Sequence, residues 1–162
     1  MSNSTTTEFT VRVQAEDFDV LAETEILTKG RKDVGAIVTF TGLCRDEGGT
    51  LEALELEHYP GMAEAQISKF AQQAVERWPL TGLTIIHRFG KIPPGDNIVL
   101  VIATSSHRRA AFEASDFLMD FLKTQAPFWK KEHLKEASEG TWVEAKAVDD
   151  ADAARWDEQK TK

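Results

Sequence analysis

The chain has one cysteine, Cys44, among 162 residues, so no internal disulfide can form and a reducing, cytoplasmic setting is expected. Its four histidines, His58, His87, His107 and His133, have none of the spacings of a metal site, and there is no paired CxxC or HExxH. G-x-G-x-x-G, P-loop and G-x-S-x-G patterns are missing as well, which removes local support for a nucleotide-binding or serine-hydrolase reading. Neither a metal nor an organic cofactor is expected. No apolar run approaches the roughly 20 residues that span a bilayer, and "MSNSTTTEFT" lacks the basic start and apolar stretch of a signal peptide. Positive charge is in short supply. With 19 Lys and Arg against 27 Asp and Glu, the formal net charge is −8, which disfavours extended nucleic-acid binding and requires any basic site to be local.

What is present is ordinary for a globular protein, 41% hydrophobic and 28% charged, with no internal repeat and no Pro/Gly/Ser-rich linker. One domain over residues 8–156 is expected, between a loose N-terminus (1–7) and a loose tail (157–162). "GAIVTFTG" (35–42) is an apolar, β-branched run between glycines, and "LEALELEH" (51–58) alternates leucines with glutamates; both read as strands. The glycines of "RDEGGT" between them favour a hairpin. Apolar residues recur at helical spacing from Gly61 to Trp78, where Pro79 stops the pattern. "LTIIHRFG" (83–90) and "NIVLVIATS" (97–105) are further strands about a Pro-Pro-Gly turn, the second apolar enough to be central. A helix follows from His107 to about Thr124, then a last strand in "GTWVEAKAV" (140–148) and a short acidic helix. The architecture is α+β, a mainly antiparallel sheet with flanking helices.

Three stretches carry candidate chemistry. "SSHRRAAFE" puts His107, Arg108 and Arg109 at a helix N-terminus, where free backbone N–H groups and cations together suit a phosphate or carboxylate; the competing reading is a solvated surface in which Arg109 pairs with Glu113. "KTQAPFWKKE" (123–132) surrounds an apolar Pro127-Phe128-Trp129 unit with lysines. Lys123 and Lys130 are seven residues apart, but Pro127 makes one unbroken helix between them untenable. Ammonium groups held against aromatic rings can do acid–base work; alternatively the lysines are solvated and the rings anchor a loop. In "FTGLCRDEGG" the thiol of Cys44 has no adjacent histidine to activate it, whereas Arg45 at a loop start is placed to grip an anion.

Eight fragments in order, "GAIVTFTG" with its following Arg45, "LELEHYPGMAE", "RWPL", "IIHRFG", "PGD", "TSSHRRAAFEA", "FLMDFLKTQAPFWKKE" and "WVEAK", resemble the large, catalytic subunit of molybdopterin synthase from about Val34 to Trp156. The resemblance implies an α/β hammerhead-type fold and sulfur transfer in molybdenum-cofactor biosynthesis. Cyclic pyranopterin monophosphate would receive two sulfurs from the C-terminal Gly-Gly thiocarboxylate of a small ubiquitin-like partner. It also implies a homodimer at the centre of a heterotetramer. Carried over by position, Lys123 lies beside the inserted thiocarboxylate and Lys130 is the second essential lysine, near the pterin. His107 and Arg108 match a substrate-binding pair, and Leu43, Cys44 and Arg45, with Lys130, Lys131 and Glu132, match two substrate-contacting stretches. Leu43 and Cys44 depart from the better-known members, one of whose residues there is cationic, and Lys146 stands where an arginine is common, keeping charge but losing the bidentate fork. Two rival functions are a non-catalytic small-anion-binding module and an enzyme that uses lysine as a Schiff-base nucleophile.

Overall fold

A computed structural model describes residues 7–135, 140–143 and 147–158 of the chain. In order, its elements are β1 (Phe9–Gln14), α1 (Val20–Thr28), β2 (Ala36–Leu43), β3 (Leu51–His58), α2 (Met62–Arg77) and β4 (Leu80–Arg88). They continue with β5 (Gly90–Ile92), β6 (Asn97–Ser105), α3 (Arg108–Thr124), β7 (Phe128–Leu134), β8 (Thr141–Val143) and α4 (Ala147–Glu158).

Among the described residues, the strands divide into two four-stranded sheets, β1-β4-β6-β2 and β5-β3-β7-β8, in which only the β1–β4 pairing is parallel. The expected strand at 83–90 is longer and broken. It runs Leu80–Arg88 in the first sheet and re-forms as Gly90–Ile92 in the second, crossing between them at Phe89; Gly90 takes the left-handed φ of 91° that this turn requires. The expected hairpin between β2 and β3 does not form, because the two strands belong to different sheets. β2 is apolar enough to be half-covered beside β6, while the alternating β3 suits a sheet with one wet face beside β7. The connecting loop instead folds on Asp46, whose Oδ1 accepts from the backbone N–H of Gly48 and Leu51 at 3.3 and 3.2 Å.

Helices α2 and α3 cover one face of the first sheet. Ile67, Phe70 and Ala74 of α2 and Ala114, Phe117, Leu118 and Phe121 of α3 meet Leu83, Ile85, Val101 and Ala103 of the strands. The opposite face is thinner, with Ile86, Leu100 and Ile102 under Phe18 and α1. Trp156 of α4 packs edge-on to Phe117 and Trp78, and Arg155 holds Asp116 and Asp120 at 2.6 and 2.9 Å, which fixes the last helix on α3. Thr7 Oγ1 donates to the Leu80 carbonyl at 2.6 Å. Residues 1–6, 136–139, 144–146 and 159–162, and with them Lys146, lie outside the described residues. No described helix is long and apolar enough to cross a membrane.

Candidate active site

The stretch "KTQAPFWKKE" is a corner between a helix and a strand. α3 ends at Thr124, where Gln125 and Ala126 N–H both bond back to the Phe121 carbonyl at 2.8 and 3.2 Å. Pro127 then stops the helix and sets up extended backbone, so β7 begins at Phe128. Lys123 stands in the last turn of α3, where a cation complements the helix dipole. Lys130, three residues into β7, comes round to the same opening.

That opening has two parts. A slot of about 110 Å³ runs between α3, β6 and β7, walled by Phe40, Leu56, Val99, Leu122 and Phe128. It widens into a groove of about 670 Å³ bordered by Leu43, Arg45, Glu132 and Val143. Lys123 and Lys130 line both. Lys123 is exposed and Lys130 half-buried, so the lysines are open to solvent at the groove and backed by apolar walls at the slot. Leu43 projects beside them at the β-bulge that ends β2. Arg45, exposed on the loop, pairs with Glu47 on the rim. Cys44 borders the groove but is buried at 3% exposure, its backbone locked by Cys44 N–H to Asp96 O (2.8 Å) and Gly95 N–H to Cys44 O (2.7 Å). Burial pushes its thiol up, away from the thiolate a nucleophile needs.

The two-residue period of β7 sorts the remaining candidates. Phe128, Lys130 and Glu132 face the opening, opposite His58, Leu56 and Leu54 of β3. Trp129 and Lys131 face the other way, opposite Glu57 and Glu55; Lys131 Nζ sits 5.2 Å from the Trp142 ring, and Trp129 lies edge-on to Tyr59. Phe128 therefore walls the slot and Trp129 does not. His107 and Arg108 are not brought to the lysines either. His107 is the N-cap of α3 and Arg108 its first residue, both exposed, and fifteen residues of helix put them about 22 Å from Lys123. Arg109 pairs with Glu113 at 3.2 Å, as its surface reading expected.

The structure adds a residue that sequence reasoning passed over. His87, near the end of β4, lines the slot with the two lysines, stacked on Phe128 at 3.8 Å between ring centroids. Burial pulls its imidazole down to about 4, and the nearby positive charge of Lys130, His58 and Lys123 acts in the same direction. The available signal was its place among Ile85 and Ile86 in an otherwise apolar run.

Comparison with known proteins identifies the family. The model of the family described as MoaE protein matches residues 13–125. The molybdopterin synthase catalytic subunit of Mesorhizobium japonicum is 69% identical over 147 residues, covering 91% of this chain and 92% of that protein. Its counterpart in Brucella melitensis is 59% identical over 160 residues, covering 99% and 98%. Among solved structures, the molybdopterin biosynthesis MoaE protein from Burkholderia ambifaria superposes with a TM-score of 0.79 at 44% identity, covering 93% of this chain and 99% of that one. Molybdopterin synthase from Staphylococcus aureus gives 0.73 at 30% identity, covering 82% and 95%. With a matching family model over most of its length and relatives this similar from end to end, the chain belongs to the MoaE family of molybdopterin synthase catalytic subunits.

Proposed function

We propose that this chain is the sulfur-transferring subunit of a molybdopterin synthase, and that the slot and groove at Lys123 and Lys130 are where the transfer takes place. The observation that carries the reading is the pair of lysines lining both an apolar slot and a wide groove that meet at one point. A slot this narrow suits the extended, side-chain-free Gly-Gly tail of a small sulfur-carrier partner, and the groove suits a pterin with its phosphate. A thiocarboxylate sulfur attacks a side-chain carbon of cyclic pyranopterin monophosphate, forming a C–S bond as an oxygen substituent leaves as phosphate or water. Water then hydrolyses the resulting thioester, leaving sulfur on the pterin and a carboxylate on the partner. Two such rounds give the dithiolene. Each passes through anions that fixed ammonium groups stabilise, and the inserted tail excludes the water that reaches Lys123 in the isolated chain.

His107 and Arg108 enter this scheme through a second copy. β2 is an edge strand, and Ile37, Phe40 and Leu43 on it are exposed together with Phe112 of α3. Its Ala36 end lies beside Ser105, just before His107, and its Leu43 end lies beside the groove. Antiparallel pairing of two β2 edges about a twofold axis brings the His107–Arg108 end of one copy toward the Leu43 end of the other. Each groove then gains cations that its own chain holds about 22 Å away. Subunit mixing tests this. Lys123→Ala and Arg108→Ala chains, each impaired alone, should recover activity when mixed, because a hybrid dimer holds one intact site. Failure to recover in demonstrated hybrids would put the site in a single chain, and absence of product from wild type with a thiocarboxylated partner would overturn the sulfur-transfer reading.

A further inference from the structure

Of the described side chains that line the slot, only His87, Lys123 and Lys130 are polar, and of these only the imidazole can accept a hydrogen bond. Its tautomer follows from its neighbour. Nδ1 lies 2.8 Å from the Arg88 carbonyl oxygen, which can only accept, so Nδ1 carries the proton and Nε2 carries a lone pair. The ring plane is fixed as well. It stacks on Phe128 at 3.8 Å and 13° between planes, and Phe128 is two residues from Lys130 on the same face of β7. Histidine and lysine are thereby held in register through one strand.

We propose that His87 is a positioning residue for Lys130, a neutral imidazole whose single Nε2 lone pair orients that ammonium group toward the reacting anions without cancelling its charge. A carboxylate in this place would also orient an ammonium, but it would neutralise the field that attracts a thiocarboxylate and a phosphate. Histidine avoids this only if it stays unprotonated, and the surroundings see to that: burial, Lys130 on β7, Lys123 on α3 and His58 on β3 all oppose a charge on the ring. So weak a base does not take a proton from an ammonium near neutral pH; it aims one.

The proposal rests on the sulfur-transfer reading for its kinetic consequence, but not for its structural one. ¹⁵N NMR of histidine-labelled wild type should show His87 as the Nδ1–H tautomer, unprotonated down to pH 5.5; an Nε2–H tautomer, or titration near 6.5, would overturn it. His87→Phe keeps the stack and removes the acceptor, whereas His87→Gln restores an acceptor near the Nε2 position. With ¹⁵N-labelled lysines, Phe should speed hydrogen exchange at Lys130 Nζ and Gln should not, because an ammonium proton given to an acceptor exchanges slowly. In single-turnover sulfur transfer at saturating substrate, Phe should lose about tenfold, the worth of one hydrogen bond to a charged group, while Gln retains most of the rate. Equal rates and equal Lys130 Nζ exchange in the two variants would reduce His87 to packing. If wild type itself transfers no sulfur, the tautomer and the Lys130 Nζ exchange still decide the proposal.

Discussion

Acidification should destabilise this fold well before its carboxylates are protonated, and His87 is the reason. In the unfolded chain its imidazole titrates near the ordinary 6.5, whereas in the fold burial holds it at about 4. Between those values the unfolded chain binds a proton that the folded one refuses, so stability rises with pH across the window. The contribution is complete above about pH 7.5, falls progressively as pH drops through 6.5 toward 4, and is constant below that. The whole interval is worth about 3 kcal/mol, and by pH 5 about 2 kcal/mol of it is already lost. For a domain with the usual 5–15 kcal/mol or so of total stability this is a visible fraction. The assay is urea unfolding of wild type and His87→Gln at a series of pH values from 4.5 to 8, at fixed protomer concentration so that subunit association does not enter. Gln cannot titrate, so the difference between the two curves isolates the histidine from the carboxylates that both proteins share. That difference should shrink by about 2 kcal/mol between pH 7.5 and pH 5 in favour of the variant. Parallel curves would refute the argument, since they would mean that the ring is protonated in the fold as easily as in the unfolded chain.

Lys123→Ala and Lys130→Ala should each cut sulfur transfer by about 10²-fold or more with little change in melting temperature, because the lost charges act on transition-state anions rather than on packing; near-normal turnover in both, measured as product per active site, would remove the site from this cleft. Cys44→Ser should keep most of its activity with a thiocarboxylated partner, since the thiol is buried and held protonated; a well-folded variant that makes no product would place a carried sulfur on Cys44.

The strands and helices that were legible are those whose apolar pattern is set by one buried face: β2, β3, β6, α2 and α3 all lie within a residue or so of where periodicity puts them. What local pattern does not specify is which strands pair. The glycines of "RDEGGT" are compatible with a hairpin, yet β2 goes to β6 and β3 to β7, because pairing is decided by which faces the helices cover. β1 has a readable signal of its own in the alternation of Phe9, Val11 and Val13. Its parallel place beside β4 depends on α1 and the intervening strands. β7 was hidden differently. Four of the seven residues in "FWKKEHL" are Lys, Glu or His, and only pairing with β3 on one side and β8 on the other makes a strand of them.

That strand also bears on one residue assignment. Read as an irregular loop, "PFWKKE" lets Lys130, Lys131 and Glu132 all be substrate contacts; read as a strand, it sends neighbours to opposite faces. Lys130 and Glu132 face the groove, while Lys131 crosses to the outer side, beside Trp142 and opposite Glu55. Gly140 shows how closely it is packed there, since a Cβ at that position would lie 2.5 Å from Lys131 Cγ. Lys131→Ala should therefore leave both turnover and apparent substrate affinity within about threefold of wild type, the scale of one partly exposed cation–π contact. Lys130→Ala, its immediate neighbour, should be nearly inactive. Steady-state kinetics of the two variants under identical conditions make the comparison. If both fall together, β7 does not keep its two-residue alternation when substrate and partner are bound, and Lys131 belongs in the site after all.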